Sequence, residues 1–172
     1  EGTAFFQGFA NVINALRCCP KITIGRVHGK AVGGGVGLAA ATDYCVASCY
    51  SEIKLSELTI GIGPFVIEPA VTRKIGLSAM SQLSLEANKF FSAEWAQQKG
   101  LYTNIYSSVE DLDNQVKLLA EQLCSYNPEA LTRLKETFWE GTSDWDKLLK
   151  KRAAISGRLV LSDFTNKQLK NY

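Results

Sequence analysis

A stretch that is nearly half glycine sharply limits what can fold around it. Val27–Gly37 (VHGKAVGGGVG) holds five glycines in eleven residues, and Gly33, Gly34 and Gly35 are consecutive. The stiff apolar run Ile22-Thr23-Ile24 precedes it, and the small residues Leu38-Ala39-Ala40-Ala41 follow. That order predicts a strand, a glycine turn and a helix of roughly Gly35–Thr42. Glycine lets backbone amides approach a ligand closely and tolerates positive φ. The following helix aims its unpaired N–H groups and the positive end of its dipole back at the turn. Such a place suits an oxyanion or a phosphate.

Two phosphate readings are argued against by the residues themselves. A P-loop needs Gly-Lys-Ser/Thr at the helix start, whereas this helix opens Gly35-Val36-Gly37. A dinucleotide fingerprint needs a third glycine where Leu38 stands, and no acidic residue ends a strand about twenty positions later. An oxyanion hole fits better, because amides at a helix head stabilise a carbonyl oxygen that becomes negative.

Such a hole needs a base. Asp43 lies at the far end of the helix and is expected to cap or pair, and Glu52 is expected to be solvated. Glu57 stands between Leu55 and Leu58, just before an apolar glycine loop. Partial desolvation there would raise its pKa toward a working value, so Glu57 is the candidate catalytic carboxylate. Glu68 follows in the next helix turn, where the dipole favours a negative charge; it is also a possible second acid.

Composition sets the outer limits. At 172 residues the chain supports one domain with a real core. With a net charge of +2 and interspersed signs, it lacks a nucleic-acid footprint. No apolar run reaches membrane-spanning length, and residues 1–20 lack the pattern of a signal peptide. The five cysteines are odd in number and His28 is the only histidine, so no metal-ligand set is expected. Buried, reduced thiols and a cytoplasmic location are the expectation.

Along the chain, Ala4–Leu16 has the spacing of an amphipathic helix and Ile22–Val27 that of a strand. Asp43–Ser48 predicts a buried strand, and Ile53–Leu58 a half-exposed strand or extended loop. Val66–Ile75 reads as a helix with Pro69 in its first turn and Gly76 as its stop. Ser78, Ser92 and Ser108 read as caps of further helices, with a last strand at Leu101–Tyr106. Helices from Pro128 to about Glu140 and from a Ser143 cap to about Leu161 follow. Residues 1–106 therefore read as an α/β core and 107–172 as an all-helical region with oligomer-forming faces. A parallel strand at Ile22–Val27 needs more neighbours than the chain supplies, which suggests the C-terminal portion of a longer domain.

The string Val27–Leu38 followed by Asp43, the segment Ser56–Pro64, and Ser92-Ala93-Glu94-Trp95-Ala96 with Gly100-Leu101 together resemble the crotonase (enoyl-CoA hydratase/isomerase) superfamily. The similarity spans about residues 5–165 and is nearest to bacterial members, including methylglutaconyl-CoA hydratase-like proteins. It implies ββα units followed by a helical region, assembly as a homo-trimer or hexamer, and an acyl-CoA thioester substrate. Coenzyme A would enter as part of that substrate, with no separate cofactor, nucleic acid or membrane partner. It also implies that the Gly34 amide forms half of an oxyanion hole, the other half lying in an N-terminal segment this chain lacks. Hydratases of the family usually use two glutamates; Glu57 matches the second, and the first falls at Gly37. A single carboxylate suffices for a 3-to-2 double-bond shift, and hydration is the other reaction in view. Phe65 stands where dienoyl isomerases of the family carry an aspartate. The alternative to an enzyme is a non-catalytic CoA-binding or assembly subunit. His28, usually an asparagine in the family, is expected to hydrogen-bond structurally. Phe90 and Phe91 are expected at a core edge or acyl-pocket wall, and Lys147, Lys150, Lys151 and Arg152 on a solvated face.

Overall fold

The computed structural model describes residues 2–170. Among the described residues, four helices and six short strands alternate up to Tyr106, and four further helices follow. Helix α1 (Gly2–Cys18) leads to β1 (Ile24–Val27) and β2 (Lys30–Val32), then to α2 (Gly34–Ala41). A second unit repeats the order with β3 (Tyr44–Ser48), β4 (Glu52–Lys54), a 3₁₀ turn (Glu57–Ile60) and α3 (Glu68–Leu85). β5 (Phe91–Ser92), α4 (Ala93–Gln98) and β6 (Asn104–Tyr106) complete the mixed part. The helical part is α5 (Val109–Cys124), α6 (Pro128–Phe138), α7 (Trp145–Leu159) and α8 (Asp163–Leu169). This is the α/β class with an all-helical C-terminal region that the sequence predicts.

The chain alternates between two three-stranded sheets. The first has the order β1-β3-β6, all parallel, with Ile24 opposite Tyr44 and Val46 opposite Asn104. β3 is central, and Cys45 through Ser48 are buried, as a parallel strand covered on both faces requires. The second has the order β2-β4-β5, with β2 and β4 parallel and β5 antiparallel. Because β1 and β2 lie in different sheets, the turn between them carries the chain from one layer to the other. α2 then returns beneath both, and Val36, Ala40 and Ala41 on it are fully buried. Small side chains there let helix and strands pack closely.

Several boundaries differ from expectation. Lys30-Ala31-Val32 is not part of the glycine turn but a strand, held by pairing with β4. The segment around Glu57 is a 3₁₀ turn rather than extended chain. Gly76 (φ 76°, ψ 162°) leaves the helical region and divides α3 into two helical segments, the stop the sequence predicts, but Ser78 makes no side-chain cap hydrogen bond for the second segment among the described residues. α7 begins at Trp145 without a side-chain cap, and α8 is an additional helix. Ser92 and Ser108 do cap, accepting from the N–H of Trp95 and Asp111. Of the five thiols only Cys45 is buried; Cys18 and Cys124 are exposed. Burial raises the Cys45 thiol to about 11, despite hydrogen bonding from Thr42 and the nearby Lys74 charge.

Candidate active site

Gly33 follows β2 and precedes α2 with φ 55°, a conformation that favours glycine. Its N–H donates to Lys54 O (2.9 Å) and its C=O accepts from Val36 N (2.9 Å), pinning the turn to β4 and to the helix it opens. Gly34 follows as the first residue of α2, and its N–H donates to no backbone carbonyl among the described residues. A helix leaves its first N–H groups free in this way.

The 3₁₀ turn brings Glu57 onto this spot. A Cβ built on Gly33 would lie 2.9 Å from Glu57 Oε1, so the carboxylate rests on the Gly33 backbone, one residue from the Gly34 N–H. Glu57 Oε2 is buried and has no hydrogen-bond partner among the described residues. Burial, partly offset by the residue's own backbone N–H, raises its pKa above the ordinary carboxylate value. The turn closes at Gly61 (φ 80°), whose N–H bonds Leu58 O, while Ile62 N bonds Glu57 O. Phe164 and Thr165 of α8 pack on Gly61 and hold the turn from outside.

These groups border a cavity of about 460 Å³. Gly33, Gly34 and Glu57 lie on its wall together with Phe5, Phe6 and Phe9 of α1 and Ile60, Ile62 and Phe65 from the loop after the base. Ser156, Val160 and Leu169 also line it; Gly157 packs on Thr3 whereas Gly34 packs on Phe9, so α7 meets α1 away from the glycine turn. Phe9 lies so close to Gly34 that any Cβ there would overlap its ring. The arrangement suits an apolar chain whose carbonyl meets the α2 head while a desolvated carboxylate faces the adjacent carbon.

The other sequence-predicted residues fall in different places. Phe65 lines the cavity. Gly37 lies one turn into α2, and a side chain there would overlap Ile67, which occupies that space. Glu68 is outside the cavity wall, accepting from Thr72 Oγ1 (2.7 Å) and pairing with Arg152 at 3.5 Å. His28 Nδ1 is 3.1 Å from Ser48 Oγ. Phe90 and Phe91 are also off the cavity wall; Phe91 is buried against Trp95, and Phe90 lies beneath the Lys30 ammonium. Phe9, Ile67 and Ser156 were not identified from sequence. Helix α1 brings Phe9 to the wall, the start of α3 brings Ile67 and α7 brings Ser156, and no short-range pattern marks them.

Asp43, beyond the other end of α2, is structural. Its Oδ2 accepts from Thr23 N (2.7 Å), Thr23 Oγ1 (2.9 Å) and Lys135 Nζ (2.9 Å), and its Oδ1 from Trp139 Nε1 (2.7 Å). Burial pushes its pKa up, but the hydrogen bonds from Lys135, Thr23 and Trp139 outweigh it and hold the carboxyl below its ordinary value. Lys135 spends its remaining donors on Leu16 O and Lys21 O. A lysine four residues after Leu131, on the apolar side of α6, was the available sequence signal.

Comparison with known proteins places this architecture. The chain matches the sequence model of the enoyl-CoA hydratase/isomerase family over residues 2–170. It is 33% identical over 127 residues to the peroxisomal Δ(3,5)-Δ(2,4)-dienoyl-CoA isomerase of Arabidopsis thaliana, covering 72% of this chain and 44% of that protein. It is 31% identical over 143 residues to the enoyl-CoA hydratase AKT6-1 of Alternaria alternata, covering 80% and 47%. The chain thus spans about half the length of these relatives or slightly less. A crystal structure of an enoyl-CoA hydratase from Mycobacterium avium superposes with a TM-score of 0.90 at 24% identity, covering 98% of this chain and 66% of that one. No helix among the described residues is long and apolar enough to cross a membrane. On sequence and fold together, the chain belongs to the enoyl-CoA hydratase/isomerase family of the crotonase superfamily.

Proposed function

We propose that the protein acts on an acyl-CoA thioester through an enolate. The Gly34 N–H would polarise the thioester carbonyl, and Glu57 would move the proton. The observation that carries this reading is a buried Glu57 oxygen without a partner, on a carboxylate seated against the Gly33 backbone beside that N–H. Of the family's reactions, the 3-to-2 double-bond shift suits these residues best. Glu57 would take the proton from Cα of a 3-enoyl thioester, electrons would pass through the conjugated system to the carbonyl oxygen, and the proton would return at Cγ. One carboxylate suffices for both transfers. Hydration is disfavoured because Ile67 fills the space a carboxylate at position 37 would use, and Glu68 is engaged with Arg152 and Thr72. With Phe65 on the wall in place of an acid, a dienoyl shift lacks a second proton carrier.

Assay of the protein with 2-enoyl- and 3-enoyl-CoA esters tests the reading. Interconversion of the two esters, lost in Glu57→Gln, supports it. Water addition as the dominant reaction would replace the isomerase assignment, and CoA binding without turnover of either ester would point to a non-catalytic subunit. The helical tail exposes Leu118, Leu134, Phe138 and Leu161, which supports assembly through this region. A solution mass of three or six chains is expected by light scattering.

A further inference from the structure

We propose that Ser156 is a specificity residue that reads a neutral oxygen on the acyl chain, beyond the carbons that react. The proposal rests on the acyl-CoA reading and narrows it. Three buried side-chain oxygens among the described residues have no hydrogen-bond partner: Glu57 Oε2, Tyr102 OH and Ser156 Oγ. Tyr102 lies in the core away from the cavity, but Glu57 and Ser156 both belong to its wall. The cavity therefore has two unmet polar needs, one at the reacting end and one on α7.

Ser156 is only 1% exposed, and its neighbours on the wall include Phe5, Val160 and Leu169. Gly157 beside it lets α7 press onto α1, where a Cβ would fall 2.5 Å from Thr3 Cα. A helical hydroxyl can return its hydrogen bond to the carbonyl four residues earlier. Thr132 and Thr137 of α6 do so, bonding Pro128 O and Arg133 O, whereas Ser156 does not. Alanine would suit both the helix and the apolar wall better, and it stands at 153 and 154 on the same helix. A serine at 156 is accounted for by a ligand oxygen that completes its hydrogen bond.

The wall also limits what that oxygen belongs to. Among the described residues no lysine, arginine or histidine lines the cavity, and Glu57 supplies a negative charge. A distal carboxylate would lack a counter-charge there, so the expected group is a hydroxyl or ketone. A site built to hydrogen-bond such an oxygen discriminates against the analogue lacking it.

The test uses saturated acyl-CoA esters of one chain length, unsubstituted, carrying one hydroxyl at successive distal carbons, or carrying a terminal carboxylate. Binding is measured by calorimetry to the wild-type protein, Ser156→Ala and Glu57→Gln. One hydroxylated ester should bind the wild type about tenfold or more tighter than the unsubstituted ester, and the carboxylated ester weaker than both. In Ser156→Ala that ratio should fall to near one, while in Glu57→Gln it should persist. No preference in the wild type, or a preference that survives in Ser156→Ala, would overturn the proposal. Persistent preference in Glu57→Gln, together with unimpaired turnover of the enoyl-CoA esters by that variant, would instead remove the proposed base and leave Ser156 standing. Failure of every ester to bind would overturn both.

Discussion

At its glycine end, α2 faces a carboxylate with an unpaired buried oxygen; beyond its other end stands a carboxylate that accepts four hydrogen bonds. Both acids are withdrawn from water, and their pKa values move in opposite directions. Burial alone disfavours the charged form. It decides the outcome at Glu57, where little opposes it. At Asp43 the surrounding donors reverse it, chief among them the Lys135 ammonium. Charge satisfaction separates the two, and it assigns chemistry to one end of the helix and cohesion to the other. Asp43 ties the loop before β1, the end of α2 and helix α6 into one unit, while Glu57 is kept unsatisfied at a cost in stability.

The contrast is broken most severely by removing the charges one at a time. Glu57→Gln should lower kcat/KM about 10²–10⁴-fold on the preferred enoyl ester, with a thermal midpoint equal to or above that of the wild type. A large loss of stability would show that Glu57 belongs to the structural class. Asp43→Asn should do the reverse and lower unfolding free energy by about 3–5 kcal/mol in urea, because Lys135 then stays buried without its counter-charge. Double substitution of Asp43 and Lys135 by apolar residues should recover part of that loss.

A smaller effect is expected between the two ends. Gly37→Ala places a methyl group against Ile67 and should cost about 1–3 kcal/mol. An unchanged urea midpoint would show that Ile67 yields and that space for a second acid exists after all. Subtlest is the pH dependence. Asp43, with its lowered pKa, contributes stability that is present above its unfolded value of 3.8 and is lost as pH falls through the folded value. Glu57, with its raised pKa, contributes stability that is present below 4.5 and is lost as pH rises through its folded value. Asp43→Asn should therefore weaken the acid limb of unfolding, and Glu57→Gln should gain on the wild type as pH rises above 4.5. The acid limb of kcat/KM should sit above pH 4.5, since proton abstraction requires ionised Glu57.

Much of this organisation is legible in the residue order alone. The glycine triplet, the apolar flanks of Glu57 and the serines at 92 and 108 act through neighbours a few residues away, so short-range chemistry reveals them. β2 was not legible, because Lys30-Ala31-Val32 is too short to declare itself and exists through pairing with β4. Gly76, read as a helix stop, does interrupt α3 with non-helical φ/ψ, and burial of Ile75, Ala79 and Met80 on either side packs both segments against the core. Lys135 was legible only as an oddly placed lysine; its partners are more than ninety residues away.

Local residue order was enough to establish the α/β class, the glycine-headed helix and the carboxylate that follows it, since each depends on backbone freedom and spacing within a few turns. Long-range packing settled the rest: that Ile67 fills the place beside Gly37, that Asp43 is neutralised by a distant lysine, and that Ser156 shares a wall with Glu57. Filling of space and satisfaction of charge depend on which distant segments meet, and no stretch of the chain carries that information alone.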